Sequence, residues 1–247
     1  LPGWGTVSVS ALDADESDHY FLTLTDYLTP STLFLGEAGI DRRSALKALP
    51  AFFDASGFKV EQHEAVSKDG EKIPYFVVSG KQVKRDGSSP TLLYGYGGFE
   101  VSQLPNYSPT IGNAWLVNGG VYVVANIRGG GEFGPRWHQA GLKANRQRVF
   151  DDFIAVAEDL IVRKITSPRY LAISGGSNGG LLVGAVAVQR PELFKAVVCA
   201  VPLLDMKRYH KLLAGASWVA EYGNPDDPRE WEFISKYSPY QNLRAGV

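Results

Sequence analysis

Short runs of alternating apolar and polar side chains occupy the first part of the chain: Thr6 to Ser10, His19 to Thr25 and Ser31 to Leu35. Alternation with a period of two marks strands that bury one face. Turn-forming residues separate the runs, with a break at Leu28-Thr29-Pro30, so the three read as a β-meander. Three strands make a weak module by themselves and are expected to belong to a larger β structure. Residues 36–57 read as a linker. From residue 58 the rhythm changes. Phe58 to Val66 alternates, Lys68-Asp69-Gly70 supplies a turn, and Ile73 to Val78 returns as a hairpin partner. Thr91 to Tyr94 and Val121 to Ala125 are apolar, β-rich runs of the kind buried on both faces of a sheet. Phe150 to Val162 switches to a helical period, with Phe153, Ile154, Ala157, Leu160 and Ile161 apolar. A strand (Tyr170 to Ser174), a helix (Asn178 to Gln189) and a further strand (Ala196 to Val201) follow, and another helix is expected over Leu212 to Glu221. Strands alternating with helices imply a parallel sheet with right-handed crossovers. The chain therefore divides into a β segment with linker over residues 1–50 and an α/β domain over residues 51–247.

Composition alters this picture little. The 247 residues are 45% hydrophobic and 21% charged, an ordinary globular balance. A net charge of −1 removes the electrostatic case for nucleic acid or an anionic membrane as the main partner. No apolar run reaches the roughly 18–20 residues of a membrane span. The single Cys199 rules out an internal disulfide and a multi-cysteine zinc site, and it reads as a small buried hydrophobe. The four histidines have no metal-ligand spacing, so neither a metal nor a cofactor is expected. The opening Leu1-Pro2-Gly3-Trp4 has neither an initiator Met nor a basic-then-apolar leader, which reads as a fragment or a processed chain. The compartment is left open, with a soluble, cytoplasmic location expected ahead of a periplasmic one.

The sharpest chemical signal is Gly175-Gly176-Ser177-Asn178-Gly179, a G-x-S-x-G motif between an expected strand and an expected helix. A serine at so tight a bend needs neighbours almost free of side-chain bulk, which the flanking glycines provide. The bend lifts Oγ of Ser177 above the sheet, and the amide of Asn178 then lies at a helix N-terminus where negative charge is stabilised. The bland alternative is a glycine-rich turn that binds a phosphate or nothing. Two more glycine-rich segments follow strands: Tyr94-Gly95-Tyr96-Gly97-Gly98-Phe99, and Asn126-Ile127-Arg128-Gly129-Gly130-Gly131-Glu132-Phe133-Gly134. Loops at strand C-terminal ends are where α/β proteins bind ligands. Neither segment has the Gly-x-Gly-x-x-Gly, helix and distant acid of a dinucleotide site.

At these three motifs the sequence resembles the prolyl oligopeptidase family of serine peptidases, and the resemblance runs from Leu1-Pro2-Gly3-Trp4-Gly5-Thr6 to Tyr237-Ser238-Pro239. It implies an α/β-hydrolase fold, a mostly parallel sheet with helices on both faces, lacking its last strands and preceded by the last strands of a β-propeller. It implies hydrolysis of short proline-containing peptides on the carboxyl side of proline. Ser177 becomes the nucleophile, with the Asn178 amide and the Tyr96 hydroxyl as oxyanion donors. A proline pocket is implied at Phe99, Asn178, Leu203, Trp218 and Tyr222. Trp218 and Tyr222 would share one face of the expected helix, and an indole face suits a rigid pyrrolidine ring. Filling core is the bland role for both.

A serine nucleophile needs a histidine to take its proton and an acid to orient that histidine. In this fold both follow the serine in sequence. His210 is the one histidine after Ser177, in a stretch matching no catalytic segment of the family, and is expected at the surface or in packing. His63 and His138 precede Ser177, the wrong order. The acid, the histidine and two final strands are expected beyond Val247, leaving this chain almost inactive alone with an exposed apolar sheet edge. An esterase or acyl-aminoacyl peptidase on the same scaffold, and a non-catalytic interaction module, are the competing readings.

Overall fold

The computed structural model describes residues 3–246, so Leu1, Pro2 and Val247 lie outside the described residues. Contacts divide the chain into two compact units, Leu1–Val60 with Val78–Lys81 and Leu104–Gly119, and the remainder.

The first unit carries a four-stranded antiparallel sheet in chain order: β1 (Gly5–Ala11), β2 (His19–Asp26), β3 (Thr32–Glu37) and β4 (Ile40–Ala48). The first three strands match the expected meander. The fourth lies within residues read from sequence as linker. Every residue of β4 is exposed, so it buries no face, and the alternation that identifies a strand is missing from its sequence. Beyond the sheet, Phe53 stacks on Tyr107 with ring centroids 5.3 Å apart, and the Tyr107 hydroxyl accepts from the amide of Phe52 at 2.8 Å. Ile111–Trp115 forms a π-helical turn and Leu116–Asn118 a 3-10 turn.

Most of the second unit is built on a six-stranded sheet. Its elements are β5 (Phe58–Val66), β6 (Lys72–Gly80), β7 (Thr91–Tyr94), β8 (Val121–Ala125), α1 (Pro135–Gln139), α2 (Gln147–Val162), β9 (Leu171–Gly176), α3 (Asn178–Gln189), β10 (Ala196–Ala200), α4 (Val219–Tyr222), α5 (Pro228–Tyr237) and α6 (Pro239–Asn242). The strand order is β10-β9-β7-β8-β6-β5. Strand β7 pairs in parallel with both β8 and β9, and β9 pairs in parallel with β10. This arrangement is compatible with the expected α/β-hydrolase sheet, and its strands and the two long helices fall where hydrophobic periodicity put them.

The core explains why. Leu93 of β7, Val123 of β8 and Ile173 of β9 are completely buried. Helix α2 buries Val149, Phe150, Phe153, Val156, Ala157 and Leu160, a stripe at three- and four-residue intervals. Helix α3 is apolar almost all round and correspondingly buried along most of its length. Helix α5 starts at Asp227, whose carboxylate accepts from the Arg229 amide at 2.9 Å, with Pro228 at the first helical position. Strand β10 stands at the sheet edge with Val197 and Val198 exposed, and Val201 just beyond it is 81% exposed. Cys199 is half-buried rather than fully buried, and its thiol donates to the Gly180 carbonyl at 3.3 Å.

The helix expected over Leu212 to Glu221 is corrected by the structure. Only a 3-10 turn, Gly215–Trp218, and the single turn of α4 form there. Leu213 adopts a positive φ of 47°, which a continuous right-handed helix excludes.

Candidate active site

Ser177 occupies the one residue between β9 and α3, with φ 57° and ψ −118°. A side-chain-bearing residue in that region costs about 1–3 kcal/mol and persists only where its surroundings enforce it. Here they do. The Ser177 amide donates to the Ala200 carbonyl at 3.0 Å, and its own carbonyl accepts from Gly180 and Leu181 at 2.9 and 3.1 Å. The bend closes so tightly that a Cβ on Gly175 would lie 2.1 Å from the Gly179 carbonyl oxygen, and one on Gly179 would lie 2.7 Å from that of Gly95. Ser177 itself is exposed. The sharp strand-to-helix bend expected from G-x-S-x-G is therefore present, with its serine open to solvent.

The two residues named as oxyanion donors touch each other at the start of α3. Tyr96 packs against the first turn of α3, its ring Cδ2 being 3.6 Å from the Cβ position of Gly179. Asn178 is the first residue of α3, where backbone amides have no partner within the helix. Its side chain is fully buried: Nδ2 donates to the Tyr96 carbonyl at 2.6 Å, while Oδ1 accepts from the Tyr222 hydroxyl at 2.7 Å and from Arg146 Nη2. That side chain is spent on structure, which leaves the backbone amide as its candidate contribution to chemistry.

Besides Asn178, four candidate pocket residues remain, and of these the structure brings Phe99 and Tyr222 together, edge to face with centroids 5.6 Å apart. Leu203 and Trp218 are half-buried and pack on the same hydrophobic cluster. Trp218 closes the 3-10 turn and Tyr222 ends α4. Tyr222 is completely buried, and that burial pushes its hydroxyl far above the ordinary phenol range, so it stays a hydrogen-bond donor.

Three residues here were not singled out from sequence as site residues. Glu221, only 4% exposed, accepts from Arg146 Nη1 at 2.8 Å and from the Phe99 amide at 3.0 Å, and its other oxygen lies 2.8 Å from His138 Nε2. Arg146 is completely buried, with its guanidinium carbon 5.0 Å from the Tyr222 ring centroid. No motif flags them, because Glu221 is separated from Arg146 and His138 by 75 and 83 residues. Arg128, in the other glycine-rich loop, is a clamp: it grips Asp152 through Nε and Nη2, at 2.9 and 2.6 Å, and Asp69 through Nη1 and Nη2, at 2.6 and 2.9 Å. Burial alone would lower its pKa, and the two carboxylates more than offset that.

The histidines have other partners. His210 pairs with Asp226 at 2.9 Å, His138 with Glu221, His19 with the Ser17 hydroxyl at 3.0 Å, and His63 lies against Tyr75. None of these contacts among the described residues involves Ser177.

A family model described as the prolyl oligopeptidase family matches residues 109–247. An uncharacterized peptidase, y4nA, of Sinorhizobium fredii is 55% identical, over 100% of this chain and 34% of its own length. A prolyl endopeptidase of Elizabethkingia meningoseptica is 43% identical, over 100% of this chain and 35% of its own length. A solved structure from a study of two prolyl endopeptidases superposes with a TM-score of 0.96 at 47% identity, covering 100% of this chain and 36% of that one. The chain thus spans about a third of the length of the relatives it matches. With more than half of its residues matched by the family model, the chain belongs to the prolyl oligopeptidase family.

Proposed function

We propose that the protein containing this chain is a serine endopeptidase that hydrolyses short peptides on the carboxyl side of proline through an acyl-enzyme. The observation that carries this reading is the exposed Ser177 held at a strained bend beside Tyr96 and the first turn of α3. Oγ of Ser177 attacks the carbonyl carbon of the proline residue while a base takes its proton. The developing oxyanion accepts from the Asn178 amide and the Tyr96 hydroxyl. The base returns the proton to the leaving amine, and water then cleaves the acyl-Ser177 ester. Phe99, Leu203 and Trp218 form the apolar pocket for the proline ring, and the completely buried Tyr222 backs Phe99 from within. The histidine and acid come from segments of the longer protein, in the family's order of serine, acid, histidine. Residues 1–50 are the end of a β-propeller and its linker, and residues 51–247 part of an α/β-hydrolase domain. The 247-residue chain alone retains only oxyanion-hole catalysis, on the order of 10³–10⁴ over water.

The test uses the full-length protein and a chromogenic Gly-Pro substrate. Tyr96→Phe lowers kcat by about 10²–10³-fold, the effect of removing one oxyanion donor, and Trp218→Ala abolishes the preference for proline. An enzyme indifferent to proline is an esterase or acyl-aminoacyl peptidase instead. Failure of an organophosphonate to modify Ser177 would reject catalysis altogether.

A further inference from the structure

One loop, following β7, carries both a candidate oxyanion donor, Tyr96, and a candidate pocket wall, Phe99. Phe99 and Glu100 have φ of 55° and 57°, so two successive side-chain-bearing residues sit in the left-handed region. Such backbone needs a restraint. The restraint is a closed ring of hydrogen bonds. The Phe99 amide donates to Glu221; Arg146 donates to Glu221 and to Asn178 Oδ1; and Asn178 Nδ2 donates back to the Tyr96 carbonyl. Glu221 lies in α4, Arg146 immediately before α2, and Asn178 at the start of α3, so three separate elements fix one loop.

The charges in this ring are buried, with Arg146 completely inaccessible and Glu221 4% exposed. A buried ion pair is a poor way to gain stability, because apolar residues of similar volume usually do as well or better. What the pair supplies is directional restraint between the two oxyanion donors and the pocket wall. We infer that Glu221, acting through Arg146 and the Phe99 amide, is a positioning residue that sets the oxyanion donors and the proline pocket in one register. This rests on the peptidase reading above. Neither residue touches substrate; each acts through Asn178, Tyr96 and Phe99. His138, 2.8 Å from the second oxygen of Glu221, holds that carboxylate from the opposite side.

The experiment replaces the pair by apolar residues of similar bulk, Arg146→Met with Glu221→Leu, in the full-length protein. Glu221→Gln is the conservative companion, since it keeps an acceptor for the Phe99 amide. Two rates are read beside Tm: hydrolysis of a Gly-Pro substrate, and labelling of Ser177 by a small alkyl fluorophosphonate, which forms the phosphonate ester and expels fluoride. The double variant is expected to keep its Tm while kcat and the labelling rate both fall about 10- to 100-fold, the scale of a displacement near 1 Å. Glu221→Gln recovers most of that loss. Wild-type labelling by the folded double variant would overturn the inference, and so would its failure to fold, which would make the pair a stability element. Absence of labelling in the wild-type protein is a different result: it sinks the peptidase reading, and this inference with it.

Discussion

Ser177 pays a conformational penalty that a glycine in its place would avoid. Its φ of 57° and ψ of −118° are mirror-image backbone, open to glycine and costly to serine. Ser177→Gly is therefore expected to raise stability by roughly 1 kcal/mol, the relieved strain less the extra entropy of an unfolded glycine. A rise in the urea midpoint together with complete loss of organophosphonate labelling would register it. This residue was legible because the glycines, the preceding strand and the following helix all pointed to one geometry. Tyr96 and Phe99 entered through family resemblance alone, since nothing in a glycine-rich loop states which aromatic packs on the first turn of α3 and which on Tyr222. Glu221, Arg146 and His138 were not legible. Their acidic and basic side chains look in sequence like surface residues, and only folding brings them, from positions 75 and 83 residues apart, into one buried cluster.

Among the elements, legibility followed burial. Strands β7 and β8 and helices α2 and α3 face apolar neighbours, so their sequences carry the period of their structure. Strand β4 buries nothing and carries none. The stretch before α4 is broken at Leu213, whose positive φ no propensity announces. Arg128 links elements in another way, joining the loop after β8 to α2 through Asp152 and to the turn after β5 through Asp69. Hydrogen bonding from Arg128 holds the Asp69 carboxyl below its ordinary value of 3.8. A depressed folded value means that this contribution is complete above the unfolded pKa and is lost as the pH falls through the folded one. Stability should thus decline on acidification below about pH 4, with a shallower acid limb in Asp69→Asn. Asp69 is 41% exposed, so the effect at neutral pH is less than about 1 kcal/mol. Denaturant midpoints measured from pH 2 to 7 would read both.

For the whole molecule, the governing fact is that the chain covers about a third of its relatives. Strand β10 ends the sheet with Val197 and Val198 uncovered, followed by Val201. An apolar strand edge of this type recruits other strands. The 247-residue chain should therefore self-associate, and Val198→Lys should reduce that association by placing a charge on the edge. Light scattering across a concentration series would decide it. Burial also governs how the folded molecule ages. Asn178-Gly179 is the dipeptide in which a glycine amide most readily attacks the preceding carboxamide, releasing ammonia through a cyclic imide. Tyr96, Tyr222 and Arg146 grip that carboxamide at both its atoms, and the attacking amide belongs to α3. Chemical decay at this bend thus has to wait for local unfolding, and the clock that limits its shelf life is the opening rate of one helical turn.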